Sequence, residues 1–323
     1  MIKTYLFDTQ GVREDVPLDD WRSLAKNECS LLWIDVREVT EPELSSLASM
    51  FGLHSVAVES CLDEYRRPHL YEFSDHFYVN LTVIENEHRR RSELNPRELH
   101  LFAGERFIIT VSQTKEAQAV ERTIKDYRDT PSACERGPMY AVYLLIEDLV
   151  ESYFPVIEDL DDDADEIEGA MLRDADKRLL ARLFALKRRG FELRKVLGPQ
   201  RDILSVLARR DFPFIEGEQN VYFQDIYNRM IRIFDTMDTI REILSGSLDI
   251  YLSSVSNRLN EVMKALTVAA TILMTLSFIT GFYGMNFVHL PWLNSPNAFR
   301  NSVVLMAAIT VAMLWWFRRR KWL

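Results

Sequence analysis

The sequence contains few of the residues that build redox, zinc or disulfide centres. Among its 323 residues there are three cysteines and six histidines, all widely spaced. The cysteines form no Cys-x-x-Cys pair, and their spacing is typical of reduced thiols in the cytosol rather than of a disulfide framework. Because the histidines form no His-x-x-x-His pair, we expect them at surface or strand positions and not in a zinc site.

Motifs of enzymes and of nucleic-acid-binding proteins are also missing. The sequence has no glycine-rich phosphate loop and no nucleophile elbow, which argues against a nucleotide-dependent or hydrolytic enzyme. Its formal net charge is −10, so nucleic acid is not an expected partner. The N-terminal segment has no long apolar run, and we therefore predict no cleaved signal peptide. These absences favour a function other than catalysis.

The first part of the chain, residues 1–136, has the pattern of an α/β domain. Helical stretches separate its strands; Glu41-Pro42-Glu43 opens one of them, and another covers 115–129. The sequence predicts five β-rich segments, at 3–7, 31–36, 77–84, 98–102 and 107–111. Gly104-Glu105, between the last two, indicates a hairpin.

Residues 137–218 have the pattern of two long helices of opposite charge, which we expect to pair antiparallel. The first covers 140–171; the second, 177–210, is basic, and Gly198-Pro199 predicts one break in it. The first helix carries eight acids, at Glu158, Asp159, Asp161, Asp162, Asp163, Asp165, Glu166 and Glu168. This run fits either a solvated helix face or an attractor that concentrates cations near a pore mouth. It lacks the ligand spacing of an EF-hand.

A single helix is predicted over 219–283, because this segment contains no proline. At about 1.5 Å per residue it would be roughly 100 Å long, and a helix of that length needs partners. We divide it into a cytoplasmic stalk at 219–262 and a first transmembrane helix at 263–283. The division follows from an uncharged run that starts at Ala265, after Lys264, and is long enough to cross a bilayer.

One face of this helix carries only small, polar or Met side chains. Steps of four and three residues from Asp249 give Ser253, Ser256, Asn260, Met263, Thr267, Ala270, Met274, Ser277 and Gly281. We call this row the seam. Close helix packing in lipid would explain its small residues. A wall along a water path would also explain the polar ones, and we favour that reading. The predicted pore-lining residues are Asn260, Met263, Leu266, Thr267, Ala270, Met274, Ser277 and Gly281.

A second transmembrane helix is predicted at 301–317, near the lower length limit for crossing a bilayer. The loop at 284–300 has no Lys or Arg before Arg300, whereas the tail at 318–323 begins with Arg318-Arg319-Arg320-Lys321. The positive-inside rule then makes the loop external and both termini cytoplasmic, with Trp315, Trp316 and Trp322 at the inner interface. The predicted fold class is an α/β cytoplasmic domain followed by long stalk helices and a two-helix transmembrane hairpin.

The first span closes on Gly284-Met285-Asn286, and the chain ends in Lys321-Trp322-Leu323. This tripeptide at the outer end of the first of two C-terminal spans, followed by a basic terminus, resembles the CorA family of divalent-cation transport proteins. The resemblance is close from about Asn257 onward. It implies a homopentameric funnel in the cell (inner) membrane that carries Mg²⁺, and often Co²⁺ or Ni²⁺, into the cell. Gly284, Met285 and Asn286 would receive the hydrated ion.

The resemblance also implies regulatory sites between subunits, where Mg²⁺ bridges acidic side chains. The matching residues are Asp249 and Asp225 on the long helix, together with Glu147 and Glu59. The sequence departs from the family pattern at Ser60, where an acid is usual, so we expect only a neutral oxygen at that position.

Two further departures concern the membrane region. Leu290-Pro291-Trp292-Leu293 lacks the acid of the usual Met-Pro-Glu-Leu motif, and Thr275 stands where the family commonly has proline. The first departure makes cation recruitment at the outer mouth weaker or different. The second makes a bend in the first span less certain.

Two alternatives stay open at this stage. A zinc transporter of the related ZntB type has the same general pattern, but here Met285 is kept and the residues after Asn286 are not glycine-rich. His289 would supply one nitrogen donor per subunit, which is too little to decide. A membrane-tethered sensor or scaffold without a conduction path would explain the domain, stalk and anchor. It would not explain the polar seam or Asn260.

Overall fold

The structure is a computed structural model that describes residues 1–18, 21–24, 30–63, 67–84, 96–114, 117–130, 133–209, 211–215, 217–285 and 297–322. The chain folds into two compact units. The first contains Met1–Gly169 and Ala181–Ser245, and the second contains Ala170–Leu180 and Gly246–Leu323.

The first unit is built on a seven-stranded sheet with strand order β2-β1-β3-β7-β6-β5-β4. The strands are β1 (Ile2–Asp8), β2 (Gly11–Glu14), β3 (Leu31–Arg37), β4 (His69–Glu72), β5 (His76–Ile84), β6 (Pro96–Gly104) and β7 (Phe107–Ser112). Neighbouring strands are antiparallel except β3 and β7, which are parallel. The five predicted strands are confirmed, whereas β2 and β4 are four residues each and too short to show an alternating pattern.

The predicted hairpin at Gly104-Glu105 is confirmed, because β6 and β7 pair antiparallel on either side of it. A side chain at Gly104 would collide with the ring of Phe107, so the close approach of the two strands requires glycine here.

Helices cover both faces of the sheet. They are α1 (Trp21–Leu24), α2 (Glu41–Phe51), α3 (Ser55–Leu62), α4 (Gln118–Asp129) and α5 (Pro138–Glu151). Leu32 and Ile34 of β3 share a buried cluster with Leu44 and Leu47 of α2. Residues of opposite parity point to the other face, where Phe7 packs edge-on against Tyr127 of α4 with ring centroids 4.9 Å apart.

The predicted helix over 140–171 is two helices. α5 ends at Glu151, and α6 covers Phe154–Arg173. Pro155 lies in the first turn of α6, where a missing N–H leaves no hydrogen bond unmade. Between the helices, Tyr153 is fully buried and its hydroxyl donates to the backbone oxygen of Thr82 in β5 at 2.5 Å. The junction therefore ties the helical region to the sheet.

The predicted break at Gly198-Pro199 is wrong, because α7 runs unbroken over Lys177–Leu207. The residue after the proline holds the helix in place. Gln200 is buried, and its side-chain oxygen accepts hydrogen bonds from the Thr82 N–H at 3.1 Å and from the Tyr153 hydroxyl at 2.8 Å. Tertiary anchoring here outweighs the local cost of proline within a helix.

The predicted antiparallel pairing of the acidic and basic helices is confirmed. Arg182 of α7 lies 3.1 Å from Glu166 of α6, and Arg189 lies 3.6 Å from Asp163. The residue numbers rise along one helix as they fall along the other, which is the order of an antiparallel pair.

The long helix α8 covers Asn220–Tyr283, in agreement with the absence of proline from this segment, and the last helix α9 covers Ala298–Arg319. Each contains a stretch long and apolar enough to cross a membrane. Large apolar side chains of this part lie exposed in the single chain, among them Met274 at 73% and Phe278 at 74% exposure.

Candidate functional site

The seam on the C-terminal part of α8 makes no contact that buries it. All eight predicted pore-lining residues are exposed: Asn260, Met263, Leu266, Thr267, Ala270, Met274, Ser277 and Gly281. The side of α8 that approaches α9 is a different one. Ile279 and Tyr283 line a cleft together with Ser302 of α9. Ile279 and Gly281 are roughly 200° apart around the helix, so this end of the seam faces away from α9.

Threonine hydroxyl groups in the apolar part of α8 donate hydrogen bonds to backbone oxygens of the same helix. Thr267 donates to the backbone oxygen of Met263 at 2.8 Å, and Thr271 and Thr275 repeat this contact one and two turns later. The hydroxyl oxygens keep lone pairs that can accept hydrogen bonds from water. Thr267, which lies on the seam, can therefore present an acceptor to a hydrated cation without leaving a buried donor unpaired.

The C-terminal end of α8 is followed by a tight turn. The N–H of Gly284 donates to the oxygen of Thr280 at 2.9 Å, and that of Met285 to the oxygen of Phe282 at 3.4 Å. A Cβ atom at Gly284 would lie 3.2 Å from the Thr280 oxygen, closer than side chains normally approach a carbonyl. Met285 is 49% exposed. Asn286 lies outside the described residues, as do the Leu290–Leu293 motif and His289, so their predicted roles stay predictions.

Asp249 lies at the N-terminal end of the seam, in the second unit. It is exposed and lines a cleft together with Asp174, Ser253 and Asn257. Arg258 lies 3.5 Å from Asp174. Within the described part of the chain, no three His, Cys, Asp or Glu side chains are close enough together to hold a metal ion.

Asp225 and Glu147 lie near each other in the first unit, and both form an ion pair with Arg229. Arg229 places Nε 2.9 Å from Oδ2 of Asp225 and Nη2 3.3 Å from Oε1 of Glu147. A third carboxylate, that of Glu151, lies 3.4 Å from Nη1. We call these three acids and Arg229 the stalk cluster.

Neighbouring groups shift the pKa of Arg229 in the stalk cluster and that of Tyr143, which hydrogen-bonds Glu147. Burial lowers the pKa of Arg229, but the hydrogen bond and charge of Asp225, with the charge of Glu147, outweigh it and raise that pKa above its ordinary value. Burial raises the pKa of Tyr143, and its hydrogen bond to Glu147 raises it further.

The sequence reasoning missed Arg229 and Glu151, although spacing could have indicated both. Arg229 follows Asp225 by four residues, and Glu151 follows Glu147 by four, so each pair lies on one helix face.

Glu59 and Ser60 point in different directions from α3. Glu59 is exposed and makes no ion pair with any described residue. Ser60 is fully buried, and its hydroxyl donates to the backbone oxygen of Val56 at 2.8 Å. The expectation that Ser60 offers an oxygen to a cation at a subunit boundary is therefore wrong. Buried on the inner side of the helix, it packs near the hydroxyl of Tyr78.

Comparison with known proteins identifies the family to which this chain belongs. The family described as "CorA-like Mg2+ transporter protein" matches residues 28–319. The chain belongs to the CorA family. It is 35% identical over 293 residues to the cobalt/magnesium transport protein CorA of Thermotoga maritima, an alignment that covers 90% of this chain and 83% of the relative. Membership of the CorA family makes the chain a membrane transporter of divalent cations.

Solved structures agree with the CorA fold. The complete CorA magnesium transporter of Methanocaldococcus jannaschii superposes with a TM-score of 0.80 at 26% identity, covering 100% of this chain and 99% of that one. The cytoplasmic domain of ZntB from Vibrio parahaemolyticus superposes with a TM-score of 0.62 at 12% identity, over 79% of this chain and 98% of that domain. The second likeness shows only a shared fold, so it gives no support to zinc as the ion.

The C-terminal end of this CorA chain places cations over aromatic rings. Arg319 lies 5.5 Å from the ring centre of Trp315, and Arg320 lies 5.5 Å from that of Trp316. Exposed indoles beside arginines are typical of a membrane–water interface.

Proposed function

We propose that this CorA-family chain forms a homopentameric channel that carries Mg²⁺, and also Co²⁺ and Ni²⁺, into the cell across the cell (inner) membrane. The observation that carries the proposal is the seam. The seam consists of small and polar residues and is exposed in the single chain, on a helix apolar enough to cross a bilayer. Such a row fits the wall of a pore that other copies of the chain complete. The Thermotoga maritima relative is called a cobalt/magnesium transport protein, which supports Mg²⁺ and Co²⁺ as transported ions.

The chemistry of the seam suits a hydrated cation. Mg²⁺ is small and gives up its water slowly, so a pore can pass it with its water shell in place. Asn260, Thr267 and Ser277 would offer neutral oxygens to that shell, while Ala270 and Gly281 leave room for it. Neutral oxygens bind weakly enough for release, which conduction requires.

The outer mouth is assigned to Gly284, Met285 and Asn286. The tight turn at Gly284 would direct the following residues toward the axis of the channel. Five Asn286 side chains would then form a ring of amide oxygens that receives the hydrated ion. Because a ring of amides carries no net charge, it selects the ion without trapping it.

Both termini are cytoplasmic in this proposal. The cationic end of α9, with Trp315 and Trp316, would lie at the inner surface, where Lys and Arg are retained. The loop between α8 and α9 would be external.

Intracellular Mg²⁺ would regulate the channel through Asp249, with Glu59 as a further ligand at a subunit boundary. Five copies of Asp249 at the inner end of the seam repel one another unless a cation lies between them. A bound Mg²⁺ would therefore favour a closed, symmetric state, and its loss would favour opening. Asp225 and Glu147, the other two predicted ligands, differ because Arg229 already lies between them.

Ion uptake into liposomes holding the purified protein tests the proposal. Mg²⁺, Co²⁺, Ni²⁺ and Zn²⁺ are supplied in turn, and we expect uptake of the first three. Zn²⁺ uptake without Mg²⁺ uptake would favour the ZntB-type alternative. No uptake of any ion by a correctly assembled oligomer would favour the tethered sensor or scaffold.

Adjacent alanines on α8 provide a matched test of the seam. Ala270 lies on it and Ala269 lies about 100° away, although both are exposed in the single chain. In a background without the three native cysteines, a cationic thiol reagent should block uptake through Ala270→Cys and not through Ala269→Cys. The opposite pattern would assign the pore to a different face.

A further inference from the structure

Three carboxylates of the stalk cluster surround one arginine side chain. Glu147 and Glu151 extend from α5, Asp225 extends from α8, and the guanidinium of Arg229 contacts all three carboxylates at 2.9 to 3.4 Å. The Nε, Nη1 and Nη2 atoms each face a different acid. The planar fork of arginine suits this arrangement, because its donors point outward in fixed directions.

Burial differs among the members of the stalk cluster. The side chains of Arg229 and Glu147 are 28% and 27% exposed, so water screens that contact only in part, whereas the side chains of Asp225 and Glu151 are 52% and 64% exposed. Tyr143 hydrogen-bonds Glu147 from the other side, which holds that carboxylate in position. A divalent ion placed among the same oxygens would have to displace the guanidinium or lie against it. The second arrangement brings like charges together.

We infer that Arg229 is a built-in cation that closes the stalk cluster to divalent ions, so that the packing of α5 against α8 there does not depend on intracellular Mg²⁺. The inference rests on the proposed function, because it assigns Mg²⁺ regulation to the Asp249 end of the stalk and removes it from Asp225 and Glu147. An arginine stays charged at every physiological pH and cannot dissociate from the chain. The stalk cluster is thus a permanent link and not a Mg²⁺ sensor.

Local amide hydrogen exchange in the full-length, detergent-solubilised oligomer tests the inference. Peptides from α5 and from residues 220–235 are compared in chelator and in millimolar Mg²⁺. In the wild type, exchange in these peptides should change by less than about twofold. In Arg229→Ala, exchange in chelator should rise by about tenfold or more, because Asp225 and Glu151 lose charged hydrogen bonds and Glu147 loses its ion pair. Mg²⁺ should restore much of this protection.

Arg232→Ala is the matched control. It removes one arginine from the same helix, three residues away, and Arg232 is exposed without an ion pair among the described residues. This variant should behave like the wild type. Arg229→Gln is a second variant that keeps polar bulk, for use if Arg229→Ala does not assemble.

Two results would overturn the inference. One is Mg²⁺-dependent protection of these peptides in the wild type that Asp225→Asn abolishes, which would place a divalent ion at the stalk cluster. The other is the same Mg²⁺ response in Arg229→Ala as in the wild type. Neither depends on transport, so a failure of ion uptake in liposomes would be recognised separately.

Discussion

The hydroxyl of Ser60 donates to the backbone oxygen of Val56 at 2.8 Å, and no part of the Ser60 side chain is exposed. A carboxylate introduced here would be buried in the core of the α/β domain. Ser60→Asp should therefore lower the stability of the domain by about 3 kcal/mol or more. Thermal unfolding of the purified chain measures this effect.

Ser60→Ala is the control for this prediction. It removes a hydroxyl that bonds to Val56 within its own helix and to Tyr78 of β5, and we expect a smaller loss of about 1 kcal/mol. A Ser60→Asp protein that is as stable as the wild type, with a lower Mg²⁺ requirement for closure, would show that position 60 reaches a subunit boundary after all.

His100 should make the α/β domain sensitive to acid. Its side chain is fully buried, and Nδ1 lies 2.8 Å from the Tyr78 hydroxyl. Burial, and to a smaller extent the charge of His69, lowers the pKa of His100 to about 4. Glu98 Oε2 is 3.6 Å from Nε2, too far for a normal hydrogen bond that would offset burial.

The sign of the effect follows from the lowered pKa. In the unfolded chain His100 binds a proton below about pH 6.5, whereas the folded chain resists it until about pH 4. Stability is therefore complete above about pH 6.5 and falls as the pH is lowered, by about 3 kcal/mol over the whole range. His100→Gln should flatten the decrease of the unfolding temperature between these pH values. An unchanged pH dependence would contradict the prediction.

Gly284→Ala should impair transport at the outer mouth. The added Cβ would lie 3.2 Å from the Thr280 oxygen, so the turn that follows α8 must shift. A strain of roughly 1 kcal/mol or more at the ion-receiving ring should lower Mg²⁺ uptake into liposomes by about tenfold. Gly246→Ala, on the same helix with nothing within 4 Å of the new atom, should leave uptake unchanged. Equal uptake by both variants would argue against a strict geometry at Gly284.

Asp249→Asn should change the Mg²⁺ dependence of the closed state. Removing the charge weakens Mg²⁺ binding, and we expect the Mg²⁺ concentration that protects α8 from proteolysis to rise by about tenfold. Asp235→Asn removes an exposed acid elsewhere on α8 and should have no effect. If protection is independent of Mg²⁺ in the wild type and in both variants, Asp249 has no gating role.

Membrane orientation can be tested at two positions. A cysteine in place of Ser295 should react with a membrane-impermeant maleimide supplied from outside intact cells. A cysteine appended after Leu323 should react only after the cells are opened, because the cationic end of α9 keeps it inside. The reverse labelling would place the termini outside.

Local sequence patterns predicted much of the fold. The five longer strands, the hairpin at Gly104 and the proline-free helix over 219–283 each follow from the short-range preferences of their own residues. The short strands β2 and β4 could not be found in this way, because four residues carry too little periodicity. The path of α7 through Pro199 was also missed, since it depends on Gln200 bonding to Thr82 and Tyr153, more than forty residues away along the chain.

Some features of the candidate site were likewise predictable from the sequence, and others were not. The sequence by itself determined the membrane-spanning stretches, the seam and the Gly-Met-Asn closure, because hydrophobicity, helical spacing and a short motif are properties of neighbouring residues. Only the tertiary structure decided that Ser60 turns inward and that Arg229 lies between Asp225 and Glu147. The physical reason is that burial and ion pairing depend on which elements pack together. An acidic residue looks the same in a sequence whether its partner is water, a metal ion or an arginine on another helix.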